Sequence, residues 1–294
     1  MNDPIISVEN LCFRYPNSGQ QTLDGLNFSM NPGEIYGFLG PSGAGKSTTQ
    51  KILYRLLPDY TGSVTIRGRE IRDWDTSVYS IMGIGFETPN LYRKLTGREN
   101  LELALALRGE TSPRKEIQQA AARLGLGDAL DNRVDSYSKG MSMRLAFIRA
   151  VLHKPKLLFL DEPTSGLDPL WARQVKDWVL ELRDAGTGVF LTTHSMELAD
   201  ELCGTVGFLV DGRLVVQENP GALKQQYGQA GILVHGRDQA GSPVEREISY
   251  HELREQTVNG LSDFTEITRV INREVSLEQV FLLLTGRSLQ EGAA

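Results

Sequence analysis

The sequence predicts an α/β fold, because short β patterns alternate with helical patterns through its first two-thirds. Two continuous apolar runs, KLLFL at 156–160 and GVFLTT at 188–193, are typical of strands buried on both faces of a sheet. A third run, EIYGFLG at 34–40, leads into a glycine-rich turn and then into a helical pattern with one apolar stripe. These three strands therefore predict the core of an α/β domain.

Length and composition exclude several classes of protein. The 294 residues correspond to about two domains, and 40% hydrophobic with 23% charged residues excludes a wholly disordered, collagen-like or coiled-coil chain. The net charge of −6 argues against a surface that coats nucleic acid, so we expect no nucleic-acid partner. There is no signal-peptide pattern at the start, and no apolar run approaches the roughly 20 residues that span a bilayer. We therefore expect a soluble, cytoplasmic chain.

Local signals predict the remaining elements of the first two-thirds. The runs at 63–68 and 80–86 have strand patterns, and Thr96 with Glu99 makes a capping box that predicts a helix over the following residues. Serine or aspartate followed by proline predicts two further helices, from Ser112-Pro113 through Leu124 and from Asp168-Pro169 through Arg183.

The pattern of strand and helix signals changes after about residue 218, which predicts a domain boundary there. We expect one domain at 1–218, with a helical subdomain at about 87–152, and a small appended α/β module at 219–294. In that module ILVHG and EREIS have strand patterns, HELREQTV at 251–258 has a helical pattern, and Ser276 with Gln279 caps a last helix.

The strongest functional signal is GPSGAGKST at 40–48, which matches the phosphate-binding pattern G-x-x-x-x-G-K-[ST]. A strand precedes it and an amphipathic helix follows it, as the pattern requires. Glycines let successive backbone N–H groups curl around phosphate oxygens, and the helix N-terminus adds its positive dipole end. The alternative is a glycine-rich loop that binds nothing. The predicted nucleotide-binding residues are Gly40, Pro41, Ser42, Gly43, Ala44, Gly45, Lys46, Ser47 and Thr48, with Lys46 on the β- and γ-phosphates and Ser47 on Mg²⁺.

A second signal is the run LLFLDEP at 157–163. Asp161 ends a strand next to the predicted phosphate loop, which suits a carboxylate that holds Mg²⁺ through water. Glu162 beside it could position and deprotonate an attacking water molecule. Taken alone, such an acidic pair is more often a solvated strand end, and its pairing with the phosphate loop favours catalysis.

Together these motifs resemble the ATP-binding subunits of ABC transporters over about residues 4–218. SYSKGMSMR at 136–144 is similar to that family's signature motif, TSGLD at 164–168 to its D-loop, and Thr193-His194 to its switch histidine. The resemblance implies that Ser138 and Gly140 contact the nucleotide of a second subunit, that His194 is catalytic, and that Tyr15 stacks on adenine. The alternatives are a simple helix N-cap for Ser138, an ordinary histidine, and plain packing of Tyr15.

One position departs from the family pattern. The family has Gln before a P-x-L-Y stretch, and here Glu87 stands ahead of PNLY at 89–92. The resemblance implies that Glu87 is a third metal ligand after Ser47 and Asp161, and a surface carboxylate is the alternative. This variant, the YSKGM signature and VSLEQVFLLLTGR at 275–287 are similar to the multidrug and antibiotic-resistance export branch.

The resemblance implies a P-loop ATPase that uses ATP and Mg²⁺ and works as a dimer, most simply a homodimer. It implies export of a drug-like or other small substrate through a separate integral-membrane permease, with this chain on the cytoplasmic face of the membrane. The permease would contact the helical subdomain at about 87–112. The alternatives are an importer subunit and a soluble ABC ATPase that acts on nucleic acid or ribosomes.

Overall fold

The computed structural model describes residues 3–16, 18–111, 113–228, 231–249, 261, 264–273 and 275–286. The chain divides into two compact units, Met1–Glu218 and Asn219–Ser288. Each unit is described by itself.

The first unit is the α/β domain that the sequence predicts. Its strands are β1 Ile6–Phe13, β2 Leu23–Met30, β3 Ile35–Leu39, β4 Thr61–Ile66, β5 Arg69–Glu70, β6 Met82–Gly85, β7 Leu157–Asp161, β8 Gly188–Thr193, β9 Thr205–Val210 and β10 Arg213–Glu218. Its α-helices are α1 Lys46–Leu53, α2 Val78–Ile81, α3 Gly97–Ala106, α4 Arg114–Arg123, α5 Lys139–Val151, α6 Pro169–Asp184 and α7 Met196–Leu202.

A six-stranded sheet positions the functional residues. Its order is β10-β9-β3-β8-β7-β6, and all neighbours pair in parallel except β10 with β9. The register aligns Leu39 with Thr193 and Asp161 with Thr192, so β3, β7 and β8 end at the same edge. In open parallel sheets, ligands bind at this carboxyl edge.

The apolar runs of the sequence form the interior of this sheet. Every residue of β3 and β8 is buried, as expected for strands covered on both faces. A second sheet, ordered β2-β1-β4-β5, is antiparallel and packs its apolar side chains into the same core. Phe28 from that sheet contacts Phe38 of β3 and Phe190 of β8, at ring-centroid distances of 5.5 and 5.9 Å.

The helix starts follow their capping signals. Thr96 caps α3 in a complete capping box with Glu99, and Asp168 caps α6 with Pro169 at its first position. Helix α4 begins at Arg114, because Pro113 has an extended ψ of 138° and acts as the N-cap. The strand expected at 80–86 is shorter, Met82–Gly85, because Asp75 accepts a hydrogen bond from the Ser77 backbone N–H and a short helix, α2, follows.

The second unit is a small α/β module. Its strands are β11 Gly231–Arg237, β12 Pro243–Ser249 and β13 Glu266–Arg273, in an antiparallel sheet ordered β12-β11-β13. Helices α8 Pro220–Tyr227 and α9 Leu277–Thr285 pack against each other, and Ser276 with Gln279 forms the predicted capping box. The helix expected at 251–258 lies outside the described residues.

Candidate nucleotide site

The predicted phosphate loop joins the end of β3 to the start of α1. Its geometry requires glycine at two positions. At Gly45 the φ angle is 109°, and an added Cβ would lie 2.6 Å from Leu23 Cδ2. At Gly40 an added Cβ would lie 2.1 Å from the Leu209 carbonyl oxygen, which is a backbone atom that cannot move aside cheaply. The loop therefore keeps this shape only with glycine at both ends.

Lys46 folds back across the loop that it follows. Its Nζ donates hydrogen bonds to the carbonyl oxygens of Gly40, at 2.6 Å, and Pro41, at 3.0 Å. Burial lowers the pKa of Lys46, and the charges of Glu162, Asp161 and Glu87 oppose that shift. These three carboxylates are the predicted base and metal ligands, so the fold brings all four groups into one electrostatic cluster.

Asp161 is the last residue of β7 and is only partly accessible. Its Oδ1 accepts a hydrogen bond of 2.5 Å from Thr192 Oγ1 on the neighbouring strand. The pKa of Asp161 is raised, first by burial and then by the charges of Glu87 and Glu162, against the opposing effects of Thr192 and Lys46. A divalent cation at this carboxylate would relieve both unfavourable effects.

Glu162 is held by three protein donors. Its Oε2 accepts from Thr193 Oγ1 at 2.9 Å, and its Oε1 accepts from the His194 backbone N–H at 2.8 Å. The same Oε1 lies 2.6 Å from His194 Nδ1. The backbone of Glu162 has a φ of +48°, which a side-chain-bearing residue seldom adopts. Glu162 is thus fixed at the sheet edge in a conformation that the surrounding structure imposes.

The start of α1 carries the remaining residues of the predicted loop. Ser47 is exposed there, whereas Thr48 is buried and its Oγ1 lies 3.2 Å from the hydroxyl of Tyr15. The half-buried Tyr15 ring also packs edge-on against Phe13, with centroids 4.9 Å apart. Tyr15 therefore stands beside the phosphate loop with part of its side chain accessible.

Ser138 is the N-cap of α5, and Gly140 lies in the first turn of that helix. Ser138 is exposed, and its Oγ caps the helix by accepting from the Met141 backbone N–H at 3.2 Å. An added Cβ on Gly140 would lie 3.7 Å from the Gly166 carbonyl oxygen, so this helix start stands next to the TSGLD loop. Within the described ranges, no hydrogen bond or ion pair links Ser138 to Lys46, Asp161 or Glu162.

Three polar residues that support the site were not predicted from the sequence. Thr192 and Thr193 each hold one carboxylate, and the Gln50 side chain donates to the Leu160 carbonyl and to Thr192 Oγ1, both at 3.1 Å. The threonines point to opposite faces of β8, so one can reach Asp161 and the other Glu162. The sequence signal that could have identified the threonines is the pair of hydroxyl residues directly before His194 at the end of a strand.

The residue types at this site fit Mg²⁺ bound together with phosphate. Hydroxyl and carboxylate oxygens, as in Ser47, Asp161 and Glu87, are the ligands that this cation prefers. Within the described part of the chain, no group of three or more His, Cys, Asp or Glu residues could hold a metal ion.

Comparisons with known proteins agree on one family. Residues 23–165 match the ABC transporter family. The chain is 43% identical over 287 residues to a fluoroquinolones export ATP-binding protein of Mycobacterium tuberculosis, covering 97% of this chain and 94% of that protein. It is 34% identical over 309 residues to a daunorubicin/doxorubicin resistance ATP-binding protein of Streptomyces peucetius, covering 94% and 93%.

A solved structure with the same fold is a dimeric ATP-binding cassette in a post-hydrolysis state, bound to ADP and Pi. It superposes with a TM-score of 0.67 at 25% identity, covering 73% of this chain and 98% of that one. Among the described residues, no helix has both the length and the apolar character to cross a membrane. The predicted fold class is confirmed, and the chain belongs to the ABC transporter family as an ATP-binding subunit with ATPase activity.

Proposed function

We propose that this chain powers the export of a drug-like or other small substrate through a separate membrane permease. The observation that carries the proposal is the cluster of Lys46, Asp161 and Glu162 at the carboxyl edge of the sheet, with Glu87 in electrostatic reach. Relatives of nearly the same length, named for fluoroquinolones export and for daunorubicin/doxorubicin resistance, support export of this class of substrate.

ATP binding exchanges partners at Lys46. The ammonium leaves the carbonyl oxygens of Gly40 and Pro41 for the β- and γ-phosphates, which are stronger, charged acceptors. Ser47, Asp161 and Glu87 would hold Mg²⁺, which would supply positive charge to the phosphates. The exposed part of Tyr15 stacks on the adenine.

Hydrolysis depends on Glu162 as the general base. Its carboxylate takes a proton from the attacking water, which displaces ADP from the γ-phosphoryl group. The hydrogen bonds from Thr193 and His194 keep the carboxylate oriented toward that water. In the contact between His194 and Glu162, the His194 side chain is 67% exposed, so it can also reach the γ-phosphate.

Two copies of the chain form the working enzyme. Ser138 and Gly140 at the start of α5 contact the nucleotide held by the other subunit, as the resemblance implies. Support comes from the exposed Ser138 side chain, which is not bonded to its own subunit's Lys46 cluster, and from the dimeric state of the related ADP-bound cassette. Because every predicted catalytic residue is present in this chain, a homodimer would have two competent sites.

Coupling to the permease uses the helical subdomain at about 87–152, within an ATPase domain at 1–218. A groove lies between the end of β6 and helices α3 and α5, and it begins at the Glu87 loop. A permease segment in this groove would place the chain on the cytoplasmic face of the membrane. The module predicted at 219–294 would be an accessory part of the same subunit.

Transport in inverted membrane vesicles tests the proposal. The chain is expressed with a permease encoded beside it, and vesicles are assayed for uptake of a fluoroquinolone and of daunorubicin. Export predicts uptake that needs both proteins and ATP and is lost with Glu162→Gln. ATP-driven efflux from the vesicles would instead indicate an importer, and ATPase activity that depends on RNA would indicate the soluble class.

A further inference from the structure

The groove in the helical subdomain has a mostly apolar lining that includes two arginines, Arg108 and Arg149. It has a volume of about 560 Å³. Tyr92 and Leu107 on its rim are 59% and 74% exposed, which is high for large apolar side chains. Its lining includes Phe86, Tyr92, Leu103, Leu107, Arg108 and Arg149.

The two arginines are bonded only to backbone carbonyl groups in the described part of the chain. Arg149 Nη1 donates to the Asn90 carbonyl oxygen. Arg108 makes two long hydrogen bonds, of 3.4 Å to the Ala104 carbonyl and 3.3 Å to the Met82 carbonyl. Arg108 Nε is buried and has no hydrogen-bond partner. A buried donor without a partner costs free energy until an acceptor reaches it.

A third basic group, His153, contacts the same Met82 carbonyl oxygen as Arg108. His153 Nε2 is 2.9 Å from the Met82 carbonyl oxygen, so this nitrogen carries the hydrogen. Burial lowers the pKa of Arg108, Arg149 and His153, and the charge of Arg108 lowers the other two further. These basic groups therefore repel one another in a partly dry site.

No carboxylate of the described residues forms an ion pair with these arginines. Glu110 acts on Arg108 and His153 through space, without reaching the 4.0 Å of an ion pair. By contrast, Arg98 and Arg123 on the same subdomain each have a bidentate carboxylate partner within the chain. Partly buried positive charge without a counter-charge is unfavourable, and an incoming anion would compensate it.

We infer that this groove recognises an acidic side chain on a short permease helix, whose carboxylate pairs with Arg108 and Arg149 while its apolar side chains pack against Tyr92, Leu103 and Leu107. The inference rests on the proposed function and adds the chemistry of the partner. A mostly apolar lining with two arginines complements an amphipathic helix with one carboxylate better than it complements a hydrated small anion.

The test measures the affinity of the chain for its detergent-solubilised permease. Arg108→Gln and Arg149→Gln remove the charge, and Arg108→Lys keeps it. Arg114→Gln is the matched control, because the Arg114 side chain on α4 is 85% exposed. We expect each charge-removing change to weaken binding at least about tenfold, since the permease carboxylate is then left without its partner. Arg108→Lys should retain part of the affinity, and the control should match the parent.

A scan of the permease identifies the partner carboxylate and does not depend on the folding of the arginine variants. Each Asp or Glu of its cytoplasmic segments is changed to the amide. One amide variant should reproduce the loss and should not add to Arg108→Gln in a double-mutant cycle. Exchanging the charges, with Arg108→Glu and lysine at that permease position, should restore binding.

The outcomes of these experiments distinguish failure of this inference from failure of the proposed function. Parental affinity in both glutamine variants, or a scan in which no permease carboxylate couples to Arg108, overturns the acidic anchor and leaves the transporter role intact. A parent chain that binds no permease overturns both. Competition for the groove by inorganic phosphate at millimolar concentration would also overturn the inference, because the two arginines would then form a simple anion site.

Discussion

Thr193 Oγ1 donates a hydrogen bond of 2.9 Å to Glu162 Oε2, while the preceding residue, Thr192, makes a bond of 2.5 Å to Asp161. Two adjacent residues of β8 therefore hold two adjacent carboxylates, Asp161 at the end of β7 and Glu162 directly after it. This arrangement gives each threonine a separate task. One orients the proposed base, and the other orients the proposed metal ligand.

The first prediction follows from this division. Thr193→Val should lower kcat about tenfold or more with little change in KM for ATP, because the base is less well oriented in the transition state. Thr192→Val should instead raise the Mg²⁺ concentration needed for half-maximal ATPase. Thr193→Ser and Thr192→Ser keep the hydroxyl and should recover most of each loss. Identical effects of the two valine variants on kcat and on Mg²⁺ dependence would contradict the separate tasks.

Asp161→Asn should stabilise the nucleotide-free chain while abolishing its ATPase activity. The pKa of Asp161 is raised in the folded state, so its ionisation opposes folding. That penalty is absent below the ordinary Asp pKa of about 3.9 and grows as pH rises through the folded-state value. The asparagine keeps an acceptor for Thr192 and cannot ionise.

Thermal unfolding without metal or nucleotide checks this prediction across pH. The melting temperature of Asp161→Asn should exceed that of the parent at pH 7, and the gap should close as the pH falls toward 4. Thr187→Val removes a buried hydrogen bond to the Pro155 carbonyl that involves no carboxylate, and it serves as a control without this pH dependence. A variant that melts below the parent at pH 7 would show that burial does not penalise the Asp161 charge.

Glu87→Gln tests the position where this chain differs from the common family pattern. The Glu87 charge acts on both Lys46 and Asp161. If Glu87 ligates Mg²⁺, the glutamine variant should need about tenfold more Mg²⁺ for half-maximal ATPase, because a charged oxygen attracts the cation more strongly than an amide does. ATP affinity without metal should hold steady or improve. If the Mg²⁺ titrations of the parent and the glutamine variant superimpose, both alone and with the permease, Glu87 is only a solvated loop carboxylate.

Much of the fold follows from patterns that a single sequence contains. The runs that became β3, β7 and β8 are continuous and apolar, and the loop between Gly40 and Ser47 has a fixed spacing, so both could be predicted. The same holds for the capping boxes at Thr96 and Ser276, whose partners stand three residues away.

The remaining features depend on residues that are far apart in the chain. Gln50 meets Thr192 across 142 positions, and Arg149 meets Asn90 across 59. Among the described residues Arg108 has no carboxylate ion-pair partner, and this too is a property of the packed helices. No local pattern carries this information, because it arises from strand order and helix packing. The short helix Val78–Ile81 was missed for a different reason, since a turn at Asp75 overrode a β-like run.

The most direct test of the account is whether ATP brings two copies of this chain together. Each ATP would then lie between Glu162 of one subunit and Ser138 of the other. Size-exclusion chromatography with light scattering is run on Glu162→Gln with ATP and Mg²⁺. We expect a stable dimer with two ATP molecules bound and with hydrolysis slowed at least about a hundredfold, because the base is lost while the binding groups remain. Adding Ser138→Arg to this variant should return it to a monomer that still binds ATP. A monomer in the single variant, or loss of ATP affinity in the double variant, would contradict nucleotide binding between two subunits.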